Sequence, residues 1–400
     1  MDSDISANLS SILGVYSRPM SEFDGIRPYH DYEVPEVVAR IVEHPELSPA
    51  AARLIMPRRL QESVLGKWLA GMLLRSRARG LRTVEDCQQV IANYFEKLIE
   101  QTTLGVSVTG IENLSADGSY LFVSNHRDIV LDSSLLNYKI HQAGLRTSRM
   151  AVGDNLLTHE LAADLMKLNK SFVVERGARG TREGYRILTR TSRYIRHSLL
   201  EGESVWIAQR EGRAKDGWDR TDPALLKMLS LAYRDEDDSL NAMVAHNRIV
   251  PVAITYELDP CAMAKAHELY VTETEGHYAK SAQEDVQSII TGLVGPKGRI
   301  HLHIGTPIEG EFAKPGELAG QIDKQIVGGL RVFPTHVRAA QLVGDIGVES
   351  AQVDSSEKAM ALFNKQRRRC PEHARGYWLL QYANLVRNRR DLGVRGKRYS

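Results

Sequence analysis

The sequence predicts an α/β fold: a mixed, mostly parallel sheet flanked by helices, with an N-terminal helical bundle and a helical, basic C-terminal extension. Up to about residue 105, apolar side chains recur at helical spacing. From there to about residue 310, short apolar runs alternate with helical patterns, which is typical of a sheet layered with helices. After about residue 334 the sequence is helical or irregular again. We therefore expect an N-terminal helical region (1–105), an α/β domain (106–310) and a helical, basic C-terminal extension (311–400).

Three helices are predicted in the N-terminal region. The first covers residues 35–44. The second lies between residues 59 and 79, where the periodic apolar residues are Leu60, Val64, Leu65, Trp68, Leu69, Met72 and Leu73. The third contains Val84, Cys87, Val90, Ile91, Tyr94, Phe95, Leu98 and Ile99. The second and third helices are expected to pair as a hairpin, with Gly80 ending the second.

The α/β domain contains six candidate strands, at residues 120–123, 150–152, 171–175, 204–208, 249–256 and 300–304. Helical patterns over residues 156–168, 182–200 and 281–293 separate most of them. Strands that alternate with helices predict a mainly parallel sheet.

Composition excludes several classes of protein. The hydrophobic and charged fractions, 42% and 26%, are those of an ordinary globular chain. The formal charge of +2 gives no general affinity for polyanions, so any basic function needs a local cluster. The three cysteines are far apart and have no metal-ligand spacing, which predicts no metal, no cofactor and a reducing compartment. With no signal pattern and no long apolar run, a soluble or peripheral cytoplasmic protein is expected.

One segment, residues 124–132, carries the groups needed to take a proton from a hydroxyl. A histidine works best as a general base when a carboxylate fixes its tautomer, and His126 has Asp128 and Asp132 nearby. Neither carboxylate would share the histidine's face on an ideal helix. His126 is therefore expected in a strand-to-helix turn, with Asp132 reaching back from the helix. On this segment alone, a loop histidine with Asp128 as a helix cap fits equally well.

Three later segments contain predicted strands, and the first two add cations at the strand ends. They are residues 170–176, 207–215 and 249–254, the last an apolar strand with a proline. Ligand sites in open α/β sheets form where strands end. The four cations concerned would together make a phosphate site, because guanidinium groups bind phosphate oxygens bidentately; they are Arg176, Arg210, Arg213 and Lys215.

In this order, the four segments resemble the glycerophospholipid acyltransferase family, which includes glycerol-3-phosphate and lysophosphatidate acyltransferases. The family's first block is Asn-His, four further residues and Asp. Its second, like Phe-Ile-Asp-Arg, corresponds to residues 172–176, Phe-Val-Val-Glu-Arg. Its third, like Pro-Glu-Gly-Thr-Arg-Ser, corresponds to residues 210–215, Arg-Glu-Gly-Arg-Ala-Lys, and its fourth to Val-Pro-Val at 250–252. The resemblance covers roughly residues 105–310.

The first and third blocks depart from the family pattern. The family's aspartate slot holds Leu131, and the carboxylate comes one residue later, at Asp132. Either the turn adjusts to bring Asp132 to His126, which we favour, or Asp128 takes the role; a degenerate, inactive site is the third alternative. In the third block Arg210 replaces proline and Arg213 replaces threonine.

The resemblance implies transfer of a fatty acyl group from a thioester of coenzyme A or acyl carrier protein to a glycerol phosphate or lysophospholipid hydroxyl. It implies His126 as the base and Asp132 as the group that orients it. Arg176 would bind the acceptor phosphate, Glu211 would orient a hydroxyl or an arginine, and Gly212 would let the backbone pass close to the ligand.

Residues 59–82 combine an apolar stripe containing Trp68 with many cations, which suits an anionic membrane surface; a core helix is the alternative. Two other functions are considered. The His126-Arg127-Asp128 triplet also occurs in kinases, but no glycine-rich phosphate loop accompanies it. A non-enzymatic protein could bind lipid or nucleic acid through the basic tail, where the aromatic residues are Tyr377, Trp378 and Tyr382. The near-neutral total charge makes nucleic-acid binding the weaker prediction.

Overall fold

The computed structural model describes residues 21–57, 59–177, 180–281, 283–345 and 354–398. In the N-terminal region the helices are α1 (Val34–Glu43), α2 (Leu47–Ile55), α3 (Val64–Ala78) and α4 (Val84–Thr102). Local side chains set two of the starts. The Ser63 hydroxyl accepts a hydrogen bond from Gly66 N at the start of α3, and Thr83 forms a capping box with Asp86 at the start of α4.

We predicted that α3 pairs with α4 as a hairpin, and this prediction is wrong, because α4 is not the main packing partner of α3. Helix α3 packs chiefly against α2. It also touches α4, where the Arg77 guanidinium donates a hydrogen bond to the Tyr94 hydroxyl at 2.8 Å. The periodic apolar pattern predicted the helix correctly, but a pattern of this kind does not specify which neighbour the helix packs against.

Within the described residues the strands form one seven-stranded sheet in the order β1-β7-β6-β2-β5-β3-β4. The strands are β1 (Val106–Thr109), β2 (Leu121–Ser124), β3 (Arg149–Gly153), β4 (Ser171–Val174), β5 (Val205–Ala208), β6 (Ile249–Tyr256) and β7 (Ile300–Ile304). All neighbouring pairs are parallel except β6 with β7. The predicted mixed, mostly parallel sheet is confirmed. Strand β1 was not predicted, because four residues alternating in exposure are too few for a clear pattern.

Helices cover both faces of the sheet. Those between strands are α5 (Leu131–Gln142), α6 (Glu160–Leu168), α7 (Arg182–Leu200), α8 (Pro223–Ser230), α9 (Ser239–Asn247), α10 (Ala262–Glu275) and α11 (Glu284–Val294). Those after β7 are α12 (Pro315–Gly329), α13 (Pro334–Leu342), α14 (Glu357–Arg369) and α15 (Glu372–Arg398). No helix among the described residues is both long enough and apolar enough to cross a bilayer.

Strand β2 is buried on both faces and separates two cores. Leu121 and Val123 point into one core, and Phe122 points into the other, as the alternation of side chains along a strand requires. A strand buried on both sides is nearly continuous in apolar residues, which is why β2 was visible in the sequence.

The order of the strands places a crevice at the carboxyl end of β2. The chain passes from β2 outward to β3 and β4, returns to β5 beside β2, and then crosses to β6 on the other side. Such a reversal of direction leaves a crevice at the carboxyl ends of the strands, where open α/β sheets bind ligands.

The last helix, α15, is part of the folded core. Trp378 is fully buried and Tyr382 is only 4% exposed. Neither of these two rings is accessible for stacking on a nucleic-acid base. Tyr377, the third aromatic residue named for the tail, is half-buried and its hydroxyl donates a hydrogen bond to Glu273 at 2.7 Å. The predicted unit boundaries, near residues 105 and 310, fall in the loops before β1 and before α12. The division into three units stays a prediction.

Candidate active site

Asn125 fixes the turn that follows β2. Its side chain is buried and forms two hydrogen bonds with one residue of β6: Asn125 Nδ2 donates to Ile254 O at 3.0 Å, and Ile254 N donates to Asn125 Oδ1 at 2.8 Å. This pairing ties the end of β2 to the neighbouring strand. The next residue, His126, is therefore held at the mouth of the crevice.

The His126 ring lies beside Asp132 in the first turn of α5. Nδ1 of His126 is 2.9 Å from Oδ2 of Asp132, and the two side chains are 15% and 0% exposed. The same Oδ2 accepts hydrogen bonds from Arg127 N (2.6 Å) and Asp128 N (2.9 Å). The other oxygen, Oδ1, accepts from the Tyr256 hydroxyl at 2.8 Å. With Nδ1 engaged by Asp132, Nε2 is the nitrogen left to exchange a proton with a substrate.

The two aspartates have different surroundings. Burial raises the pKa of Asp132, but the hydrogen bonds from His126 and the two backbone amides outweigh this and hold its pKa below the ordinary value. Burial, and then the nearby Asp132 carboxylate, raise the pKa of Asp128. Asp128 Oδ1 accepts hydrogen bonds from Val130 N (3.0 Å) and Leu131 N (2.9 Å) at the start of α5. Asp132 is thus the partner of His126, and Asp128 caps the helix.

A buried ion pair lies behind this turn. The Arg127 guanidinium is 10% exposed and pairs with Asp219, whose side chain is fully buried. Lys265 Nζ donates to the Arg127 carbonyl at 2.6 Å and also pairs with Asp259. These contacts fix the backbone on both sides of Arg127.

Sequence reasoning missed Tyr256, Asp219 and Lys265. Tyr256 is 124 positions from Asp132 and Asp219 is 92 positions from Arg127. Contacts between residues this far apart in the sequence cannot be predicted from a spacing pattern. The one available signal for Tyr256 was its position at the end of β6, the predicted strand of the fourth block.

The third block lies directly beside His126. Gln209 N donates to Ser124 O, continuing the pairing of β5 with β2, and Ala214 N donates to His126 O; both distances are 2.7 Å. Between them, Gly212 has a φ of +77°. That conformation favours glycine, which explains the glycine of the block on structural grounds alone.

Arg176 of the second block and Glu211 of the third lie next to each other at the ends of β4 and β5. Their side chains are 3.9 Å apart and are 54% and 60% exposed. Arg176 N donates to Asp154 Oδ2 at 3.1 Å, so the ends of β3 and β4 are also joined here. Glu175 pairs with Arg190 of α7.

The three remaining predicted cations each have a partner of their own. Arg210 Nη2 donates to Trp218 O at 3.4 Å and lies 3.7 Å from Asp216. Arg213 Nη2 is 3.5 Å from the Ser288 hydroxyl of α11, and Lys215 pairs with Glu268 of α10. Polar and acidic groups of the same loop, α11 and α10 thus engage these three cations, and a phosphate site formed by all four cations stays a prediction. Their individual roles in substrate binding stay predictions.

Among the described residues, no group of three or more His, Cys, Asp and Glu side chains could hold a metal ion. The described site offers a histidine held by a buried carboxylate after β2 and an exposed arginine after β4. A histidine held in this way can take a proton from a hydroxyl, and an exposed arginine can bind an anion.

The chain was compared with curated proteins, solved structures and family models. A comparison with curated proteins gives no match. Among solved structures, the chain is similar to the 1-acyl-sn-glycerophosphate (LPA) acyltransferase PlsC from Thermotoga maritima, with 16% sequence identity and a TM-score of 0.35 over 74% of this chain and 90% of that one. Residues 105–255 match the family model described as Acyltransferase. That match confirms the predicted resemblance over these residues.

Proposed function

We propose that the protein transfers a fatty acyl group from a thioester of coenzyme A or acyl carrier protein to a hydroxyl of a glycerol phosphate or lysophospholipid, as a step of phospholipid synthesis. The observation that carries the proposal is the pairing of His126 with buried Asp132 at 2.9 Å, within the residues that match the family model. A histidine held in this way is suited to activate a hydroxyl group.

In the proposed reaction, Nε2 of His126 removes the proton from the acceptor hydroxyl. The resulting oxygen nucleophile attacks the thioester carbonyl, a carbon–oxygen bond forms, and the carbon–sulfur bond breaks. The departing thiolate takes the proton back from Nε2. Asp132 holds Nδ1–H throughout and steadies the positive charge on the ring. A positioned base contributes roughly 10²- to 10⁴-fold to the rate.

The acceptor's phosphate is assigned to Arg176. Its guanidinium is more than half exposed and its ion pair with Glu211 is long, at 3.9 Å, so a phosphate can displace the carboxylate at little cost. Two parallel hydrogen bonds to phosphate oxygens would then replace one loose contact. Glu211 would be released to orient a hydroxyl of the acceptor or the arginine itself.

We also propose that the protein works as a cytoplasmic, peripheral protein on the anionic inner face of the cell membrane. Helix α3 supports this, since Val64, Leu65 and Trp68 are 85%, 57% and 57% exposed. Exposed arginines at the end of the same helix are suited to anionic headgroups. Sedimentation with anionic vesicles, compared for the wild type and Trp68→Glu, tests it. Equal binding by both proteins would refute α3 as the contact.

The function is tested by incubating purified protein with a panel of acceptors and both kinds of donor. The acceptors are glycerol 3-phosphate, lysophosphatidate and other lysophospholipids, and the donors are acyl-CoA and acyl carrier protein thioesters. Mass spectrometry of the products should find a mass gain of one acyl group for at least one pair. No acylated product with any pair would contradict the proposal.

A further inference from the structure

Helix α15 lies outside the residues that match the family model, yet it contacts a loop of the active site. Asn384 Nδ2 donates to Asp216 O at 2.7 Å, and Asn388 Nδ2 lies 3.5 Å from Asp219 O. A Cβ atom on Gly217 would lie 2.3 Å from the carbonyl oxygen of Gln381, so backbone packs on backbone here. Gln381, Asn384 and Asn388 are spaced i, i+3 and i+7 along α15, which places them on one face of the helix.

The helix that makes these contacts is itself firmly held. Arg387 forms two hydrogen bonds with the Asp345 carboxylate, both 2.9 Å long. Arg389 Nη1 donates to Gly328 O at 2.7 Å, at the end of α12. Trp378 and Tyr382 fill the core below the helix. The described part of α15 is therefore held in place and packs against the loop of residues 214–219.

This loop is joined to the catalytic pair at two points. At one end, Ala214 N donates to His126 O at 2.7 Å. At the other, buried Asp219 pairs with Arg127, whose guanidinium also reaches Gly217 O at 3.4 Å. Arg127 N in turn donates to Asp132 Oδ2 at 2.6 Å. A shift of the 214–219 loop would therefore be transmitted to both members of the pair.

The burial of Asp219 makes this coupling strong. A buried carboxylate that loses its partner is costly, so Asp219 and Arg127 must move together. The position of Asp219 depends on the loop backbone, and that backbone depends on α15. Contacts run unbroken from Asn384 through the loop to Arg127 and Asp132.

We propose that Asn384 and Asn388 are positioning residues for acyl transfer, which fix the 214–219 loop and through it the orientation of His126 and Asp132. The C-terminal extension is thus a working part of the active site. The kinetic test of this inference rests on the proposed function, whereas a second test of loop position does not.

The kinetic test uses Asn384→Asp, Asn384→Ala and Asn388→Ala. Asp has nearly the same shape as Asn but cannot donate to the Asp216 carbonyl. Misplacing the pair by a fraction of an ångström should lower kcat about ten- to a hundredfold with the acceptor KM nearly unchanged. Arg390→Ala, an exposed site on the same helix, is the matched control and should keep wild-type kcat. Circular dichroism corrects each rate for the folded fraction.

The second test is hydrogen–deuterium exchange of the peptide covering residues 214–219. Exchange should rise in the Asn384 variants and stay at the wild-type level in Arg390→Ala. Wild-type kcat in folded Asn384→Asp would overturn the inference, whether or not exchange rises, and so would unchanged exchange. If the wild type transfers no acyl group, the proposed function fails instead, and exchange alone decides whether α15 fixes the loop.

Discussion

The proposed catalytic pair, His126 and Asp132, and the proposed acceptor-binding pair, Arg176 and Glu211, are built in opposite ways. Asp132 is fully buried and receives hydrogen bonds from His126, two backbone amides and Tyr256. Arg176 and Glu211 are each more than half exposed and 3.9 Å apart. The proposed base is thus held in place by its neighbours, whereas the arginine has only a loose ion pair that a ligand could replace.

This difference has a physical reason. A general base gains from fixed dipoles around it, because they need no reorganisation during the reaction. A phosphate-binding group gains from weak prior pairing, because a strong ion pair would have to be broken when the ligand binds. Variants of the first pair should therefore lower kcat, and variants of the second should raise KM.

The largest contrast is expected between the two aspartates. Asp132→Asn removes the group that holds the His126 tautomer and should lower kcat about 10²- to 10⁴-fold. Asp128→Asn keeps an oxygen to cap α5 and should cost less than about tenfold. Steady-state rates of the two folded variants measure this. Equal losses would show that the buried pair is assigned wrongly.

The exposed pair is tested by Arg176→Gln. Loss of charge-assisted hydrogen bonds worth about 1.5–3 kcal/mol should raise the acceptor KM roughly 10- to 100-fold and leave kcat within a few-fold. Arg186→Gln removes another exposed arginine, which pairs with Glu183 within α7, and should change neither constant. A fall in kcat alone for Arg176→Gln would contradict a role in acceptor binding.

Tyr256→Phe should have a smaller effect than Asp132→Asn. It removes one of the hydrogen bonds to Asp132 and leaves those from His126 and the two amides in place. We expect kcat to fall about three- to tenfold, as for the loss of about 1 kcal/mol. Tyr138→Phe, whose hydroxyl bonds Glu96 on the surface, is the control. Wild-type kcat in Tyr256→Phe would show that this bond is not needed.

The smallest effects concern the pH dependence of stability. The contributions of Asp132 and Asp128 to this dependence have opposite signs. The pKa of Asp132 is lowered, so its contribution to the unfolding free energy is present above its ordinary pKa of 3.8 and is lost as pH falls through the folded-state value. The pKa of Asp128 is raised, so its contribution is present below 3.8 and is lost as pH rises through the folded-state value. Urea unfolding between pH 3 and 7 should measure this. As pH rises, the free energy of unfolding of Asp128→Asn should increase relative to that of the wild type. The opposite slope would contradict the assignment.

Local features of the fold and site could be predicted from the sequence, and contacts between distant segments could not. The strands β2 and β6 are continuous apolar runs, and the turn that brings Asp132 to His126 lies within seven residues. The partners of Arg213 and Lys215 lie on α11 and α10, more than 50 positions away. Helix packing decided those partners, and it also gave α3 its place on α2.

The most direct test of the central claim is the rate of acyl transfer by His126→Ala at saturating donor and acceptor. His277→Ala, which changes an exposed histidine, is the matched control. The account predicts a fall in kcat of about 10²- to 10⁴-fold for His126→Ala and no change for the control. A folded His126→Ala protein that keeps the wild-type rate would contradict the claim that this imidazole is the base.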